Sequence, residues 1–203
     1  MREYQGWFTT APKSPDIASV AKLDLRPVLV LTGESDAQKM VFYDQVPDGQ
    51  HLLVFGATPT RQEAPLGTPE MIEPAPADNY HRWWNNFWGV VEAGSPPKAG
   101  EWTPRKSVRS LVQHAHKQGL WIRFYTLEGM LVPQLSSFGW VRNYNFGSSD
   151  AVAKRWTAAI VAGVDFIATD QYEDLAAVIE KNSSKTARAA RDELPTRQAF
   201  QQN

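Results

Sequence analysis

The chain reads as an α/β protein built on a parallel sheet, and three observations predict this. Short apolar runs such as Pro27–Leu31 and Val164–Thr169 are continuous rather than alternating, as in strands covered on both faces. Segments with helical apolar spacing lie between such runs and end at Gly119 and Gly163. Strand, helix, strand, helix with short connections is the pattern of β/α units.

Taken in order, Ala11–Asp16 is loop-like and Ile17–Lys22 suits the end of a helix. Pro27–Leu31 is a strand closed by Thr32-Gly33, and Ser35–Phe42 a short helix before the turn Pro47-Asp48-Gly49. His51–Phe55 is a second strand. Ala57–Asp78 carries five prolines and reads as a long loop. Asn79–Trp88 is aromatic-rich and leads into Gly89–Glu92, a third candidate strand.

From Thr103 the signals sharpen. Thr103 as N-cap and Pro104 at the first helical position start a helix. Val108, Leu111, Val112 and Ala115 form its apolar stripe. Leu120–Thr126 is the next strand. Ser148–Asp150 caps a helix carrying Val152, Trp156, Ala159 and Ile160 on one face, and Val164–Thr169 follows it. Asp170 and Glu173 have capping-box spacing for a last helix with Leu175, Val178 and Ile179 inward. Residues 1–181 form the domain, and 182–203 read as a basic tail, disordered or a frayed helix.

Composition narrows the function classes. Twenty-one basic and 22 acidic residues leave a net charge of −1, which supports neither nucleic-acid wrapping nor broad adhesion to anionic membranes. With no cysteine there is no disulfide, thiolate catalysis or Cys-ligated zinc. No apolar run approaches the ~18 residues of a membrane span, and no secretory signal opens the chain. No phosphate-binding glycine loop and no G-x-S-x-G elbow is present.

Acid–base candidates are the four histidines. His114 and His116 lie about 200° apart around one helix and cannot share an ion. His51 sits at a strand entrance. His81 precedes Arg82, a pairing that some phosphodiesterases use, but here it runs into Trp83-Trp84-Asn85-Asn86 and not from a strand into a glycine turn. In a parallel fold the working residues stand at strand C-terminal ends. Those positions hold Thr32, Glu34, Glu92, Arg123, Tyr125 and Asp170. Arg123 and Tyr125, two apart, share a strand face. They make either a phosphate-binding fork beside an aromatic surface, or an internal ion pair beside a core tyrosine. Asp170 is either a site residue or a helix cap, and Asp165 reads as a buried structural acid. Eight tryptophans need a core or a cleft, and Trp83, Trp84 and Trp88 cluster where they could stack on a sugar.

The segment Ser110–Thr126 resembles the late turns of phospholipase C-like phosphodiesterase barrels, the group of glycerophosphodiester phosphodiesterases and phosphatidylinositol-specific phospholipases C. There a helix ending in a motif like "AH..G" feeds a strand ending in an aromatic residue and threonine, as in Ala115-His116 through Gly119 to Tyr125-Thr126 here. Gly163–Asp170 is similar to that family's final strand, "GVD.I.TD". Tyr144–Ser148 and Arg26–Gly33 look like a bacterial branch. The resemblance implies a (β/α)8 TIM-type barrel, here a partial one of about its last four to five β/α units, and hydrolysis of phosphodiesters. It carries over Arg123 and Tyr125 alone as pocket-lining positions, with Asp170 following the last strand; Trp88 joins the substrate-binding candidates from the tryptophan cluster beside a strand end.

The family's acid–base histidine pair and its Ca²⁺- or Mg²⁺-holding carboxylates belong to the first half of the barrel. They have no counterpart here: Met1–Asp24 contains no histidine, and His81 comes too late in the order to be the first catalytic residue. No cofactor is identifiable in this chain. The implied partner is a phosphodiester or phospholipid headgroup, and the compartment of a complete parent, secreted or periplasmic included, stays open. Two further readings remain: a sugar-binding or sugar-processing barrel using Trp83, Trp84 and Trp88, and a headgroup-binding domain without catalysis. A sheet of about five strands also leaves an open edge that invites self-association.

Overall fold

A computed structural model describes residues 2–62, 71–92, 105–131 and 145–192. Its centre is a curled, five-stranded parallel sheet, half of a barrel, in a mixed α/β fold. The strands are β2 (Leu31–Thr32), β4 (Phe55–Ala57), β7 (His81–Phe87), β8 (Trp121–Tyr125) and β9 (Phe166–Ile167), adjacent in that order. The longest pairing runs from Trp83↔Trp121 to Phe87↔Tyr125. Two antiparallel pairs flank it: β1 (Ala11–Pro12) with β3 (His51–Leu52), and β5 (Thr60–Gln62) with β6 (Glu73–Pro74). Beyond β2, a single parallel bridge joins Phe8 to Val28.

Four α-helices are described: α1 (Asp36–Lys39), which continues as a π turn to Asp44, α2 (Arg105–Lys117), α3 (Ser149–Ala162) and α4 (Tyr172–Asp192). The start and stop of α3 follow from its ends. The Ser148 hydroxyl accepts from the Ala151 amide, and Gly163, at φ 82°, takes the left-handed conformation that closes the helix.

The main core lies between these helices and one face of the sheet. Alternate residues Trp84, Ile122 and Phe124 point into it and meet Leu111 and Val112 of α2 and Val152, Trp156 and Ala159 of α3. A smaller core under the other end of the sheet joins Ala11, Tyr43, Leu52, Phe55 and Tyr80. Gly56 is required there, because a Cβ would stand 2.3 Å from the Tyr80 ring.

Several elements differ from expectation. His51–Phe55 is not one strand: His51–Leu52 pairs back with β1, and the main sheet takes Phe55–Ala57 instead. The third sheet strand is His81–Phe87, and Trp88–Val90 is a 3-10 turn, so Gly89–Glu92 is not a strand. Ile17–Lys22 forms turns and extended chain rather than a helix end. The Asp170–Glu173 capping box does not form. Helix α4 begins one residue later than that cap would set, the Leu175 amide bonding the Gln171 carbonyl while the Gln171 side-chain amide reaches Asp174. That helix runs on to Asp192, through the first half of the expected tail. The caps Thr103 and Pro104 lie outside the described residues.

Candidate functional site

Helices cover one face of the sheet, as they cover the outside of a β/α barrel. The opposite face, the inside of the curl, holds the best-defined polar constellation. On β7, Trp83, Asn85 and Phe87 alternate with the core-facing Trp84 and the buried Asn86. The register sets Asn85 beside Arg123 and Phe87 beside Tyr125.

Arg123 Nη1 donates to Asn85 Oδ1 at 2.9 Å. Its guanidinium carbon stands 5.9 Å from the Trp83 ring and 5.5 Å from the Tyr125 ring, both within cation–π reach. Burial pushes the Arg123 pKa down, with Tyr125 opposing, and an arginine so shifted is still a cation at neutral pH. No carboxylate pairs with it among the described residues. Of the two alternatives for Arg123, the internal ion pair is therefore not formed among those residues. A half-buried guanidinium held by a neutral amide keeps donors available for an oxyanion. Trp83 is itself fixed, its indole N–H donating to the Thr32 carbonyl at 2.9 Å.

Strain marks the end of the same strand. Thr126 has φ 65°, the only non-glycine residue in left-handed conformation among the described residues. Its hydroxyl accepts from the Trp88 amide at 3.1 Å and so links the exits of β7 and β8. Such outliers gather at functional positions.

His81 opens β7 on the Trp83–Asn85 side. Its Nδ1 meets Asp78 Oδ2 at 2.7 Å, while Asp78 Oδ1 accepts from the amides of Tyr80 and His81. Burial raises the Asp78 pKa, but these hydrogen bonds outweigh it and the net shift is downward. The carboxylate therefore stays ionised and orients the ring. His81 thus does lie on a strand, at its N-terminal end rather than the C-terminal end where barrel sites form. Arg82, its neighbour, turns to the opposite face, buried, with Nη2 on the Ala21 carbonyl and Nε without a partner.

The remaining candidates separate from this face. Trp88 is fully buried in the helix-side core, its indole N–H on Glu92 at 2.7 Å, and it offers no ring surface to a ligand. Trp84 is buried there too, so Trp83, Trp84 and Trp88 form no shared stacking platform. Glu92 is a structural acid, gripped at two points by buried Arg155. Asp170 is exposed after β9, its amide donating to Glu128. Asp165 accepts from the Ile122 amide and from His116, and is partly exposed rather than buried. His114 bonds the Ile72 carbonyl, and Glu34 and His51 are exposed.

Asn85, Thr126 and Glu128 are the residues that sequence reasoning missed. Glu128 is 4% exposed and ties the loop after β8 to the loop after β9, accepting from the Thr169 hydroxyl at 2.8 Å and the Asp170 amide at 3.0 Å. Its pKa is raised, chiefly by burial. Among the described residues no three His, Asp or Glu side chains converge to hold a metal. These residues do not fit the divalent ion that the resemblance implies for a complete barrel. No helix among them is long and apolar enough to cross a membrane.

No family model, curated protein or solved structure matches the chain.

Proposed function

We propose that this chain supplies the substrate-contacting late part of a phospholipase C-like (β/α)8 phosphodiesterase barrel, with Arg123 receiving the phosphodiester anion. The observation that carries the reading is the Arg123 guanidinium on the helix-free face. It is held at 2.9 Å by an uncharged amide, flanked by two aromatic rings and unpaired with any carboxylate among the described residues. The parallel half-barrel supports it, because five strands in this order suit the later part of such a barrel. Strands carrying the acid–base histidines and metal-holding carboxylates would extend the sheet at β9 or beyond the Phe8–Val28 bridge on the β2 side.

On this reading the chain binds a phosphodiester headgroup and hydrolyses it little or not at all alone. The test is titration with glycerophosphoinositol, followed by tryptophan fluorescence, together with a turnover assay. The expected result is saturable binding that Arg123→Ala weakens at least about tenfold, with turnover near background. Binding that ignores Arg123→Ala sinks the reading. Efficient turnover by the chain alone would show that it holds its own acid and base. A headgroup-binding domain without catalysis predicts the same binding. The two part when an added first-half barrel fragment does or does not restore hydrolysis.

A further inference from the structure

Among the described residues of β7 and β8, Arg123 is the permanent cation on the helix-free face, and this sets which anions it can take. Arg123 stands between the Trp83 and Tyr125 rings, whose faces bear partial negative charge. Its neighbour Asn85 is neutral, and the facing positions Trp121 and Phe166 on β8 and β9 are aromatic. The other titratable group at this face of β7 is His81, bound to Asp78 at 2.7 Å. Because Asp78 is held ionised by its hydrogen bonds, the couple is neutral when the imidazole is protonated and negative when it is not. It adds no net positive charge in either state.

Resting on the reading of Arg123 as the anion-binding group, we infer that this face selects by charge rather than by phosphorus: it accepts singly charged tetrahedral oxyanion esters, sulfate monoesters included, and disfavours dianions such as phosphate monoesters. A second charge on the ligand doubles its attraction to one guanidinium but quadruples its desolvation cost, since the latter scales with the square of the charge. The uncompensated charge would face the aromatic rings beside Arg123. A phosphodiester and a sulfate monoester each carry one negative charge and satisfy Arg123 without that excess. An aryl or ring substituent then meets the partly exposed Tyr125, while buried Trp83 backs the guanidinium from within.

Three probes sharing one aryl group test this on the full chain: methyl phenyl phosphate, phenyl sulfate and phenyl phosphate, titrated by calorimetry and tryptophan fluorescence. At about pH 8 the first two should bind within about threefold of each other, and phenyl phosphate at least about tenfold more weakly. Lowering the pH to about 5 turns phenyl phosphate into a monoanion, its second pKa lying near 6, and should bring it within about threefold of phenyl sulfate. Phenyl sulfate keeps its charge throughout, so a pH effect on the protein itself shows in its own binding and is separated from the change in ligand charge. Phenyl phosphate binding as tightly as the diester at about pH 8, in an Arg123-dependent way, overturns charge selection and leaves the Arg123 reading standing. If none of the three binds, or Arg123→Ala changes nothing, both fall.

Discussion

Arg123 and Asn85 lie directly opposite each other in the β7–β8 register, and the arginine donates to the amide oxygen at 2.9 Å. A carboxylate in Asn85's place would occupy the guanidinium and cancel its charge. A neutral oxygen orients the group and leaves the charge intact. Asn85→Asp should therefore lower affinity for a phosphodiester at least about tenfold while leaving thermal stability within about 1 kcal/mol of the native chain. Asn85→Ala loses orientation but not charge, and should cost about three- to tenfold in affinity. An Asn85→Asp variant that binds as the native chain does would show that Arg123 does not meet the ligand.

Thr126 offers a test of strain. At φ 65° its Cβ crowds the backbone, a cost of about 1–2 kcal/mol for an L residue. Its hydroxyl repays some of this by accepting from the Trp88 amide. Thr126→Ala keeps the strain and loses the acceptor. Thr126→Gly loses the acceptor and relieves the strain. Urea unfolding should place the glycine variant about 1 kcal/mol above the alanine variant. The reverse order would mean that the left-handed backbone carries no cost here.

Buried charge predicts a larger effect at Arg155. Its side chain is 1% exposed and bonds Glu92 at 2.6 and 3.0 Å, with its guanidinium 3.9 Å from the Phe146 ring. Arg155→Met strands a carboxylate in the core beside Trp88 and should cost about 3–5 kcal/mol in unfolding free energy. The double variant Arg155→Met, Glu92→Leu removes both charges and should recover most of that loss. Equal losses in the single and double variants would show that packing rather than charge dominates.

The same local-against-distant division explains what could be read from the sequence. The end of α2 and both ends of α3 were legible because glycines at 119 and 163, and Ser148 at the start of α3, act within a few residues. The pairing of Arg123 with Tyr125 on one face followed from strand alternation alone. Strand β7 was missed because both of its faces carry tryptophan, so Trp83-Trp84 hides the alternation. The run His51–Phe55 hides a change of partner, from β1 to β2, that no local signal announces. Asn85 depended on register with a strand 38 residues later. Glu128 sits in an ordinary-looking turn, and its burial comes from groups 41 and 42 residues away.

Glu128 in turn predicts a pH dependence whose sign can be worked out. Burial raises its pKa, and the hydrogen bonds from Thr169 and the Asp170 amide offset only part of that. A carboxyl raised in the folded state binds its proton more tightly there than in the unfolded chain. Its contribution to stability is fully present below the ordinary glutamate value and is lost as pH rises through the raised one. Glu128→Gln cannot titrate, and its amide oxygen can still accept from Thr169 or Asp170. The stability of the native chain relative to Glu128→Gln should therefore fall across the window between the ordinary and the raised value, and stay level above it. Urea unfolding of both proteins through that range isolates the term, because other carboxylates cancel in the difference; among them Asp78, with a lowered pKa, acts in the opposite sense. A difference that rises with pH would mean that the ionised carboxylate is the preferred partner of the Thr169–Asp170 turn, and that hydrogen bonding outweighs burial there.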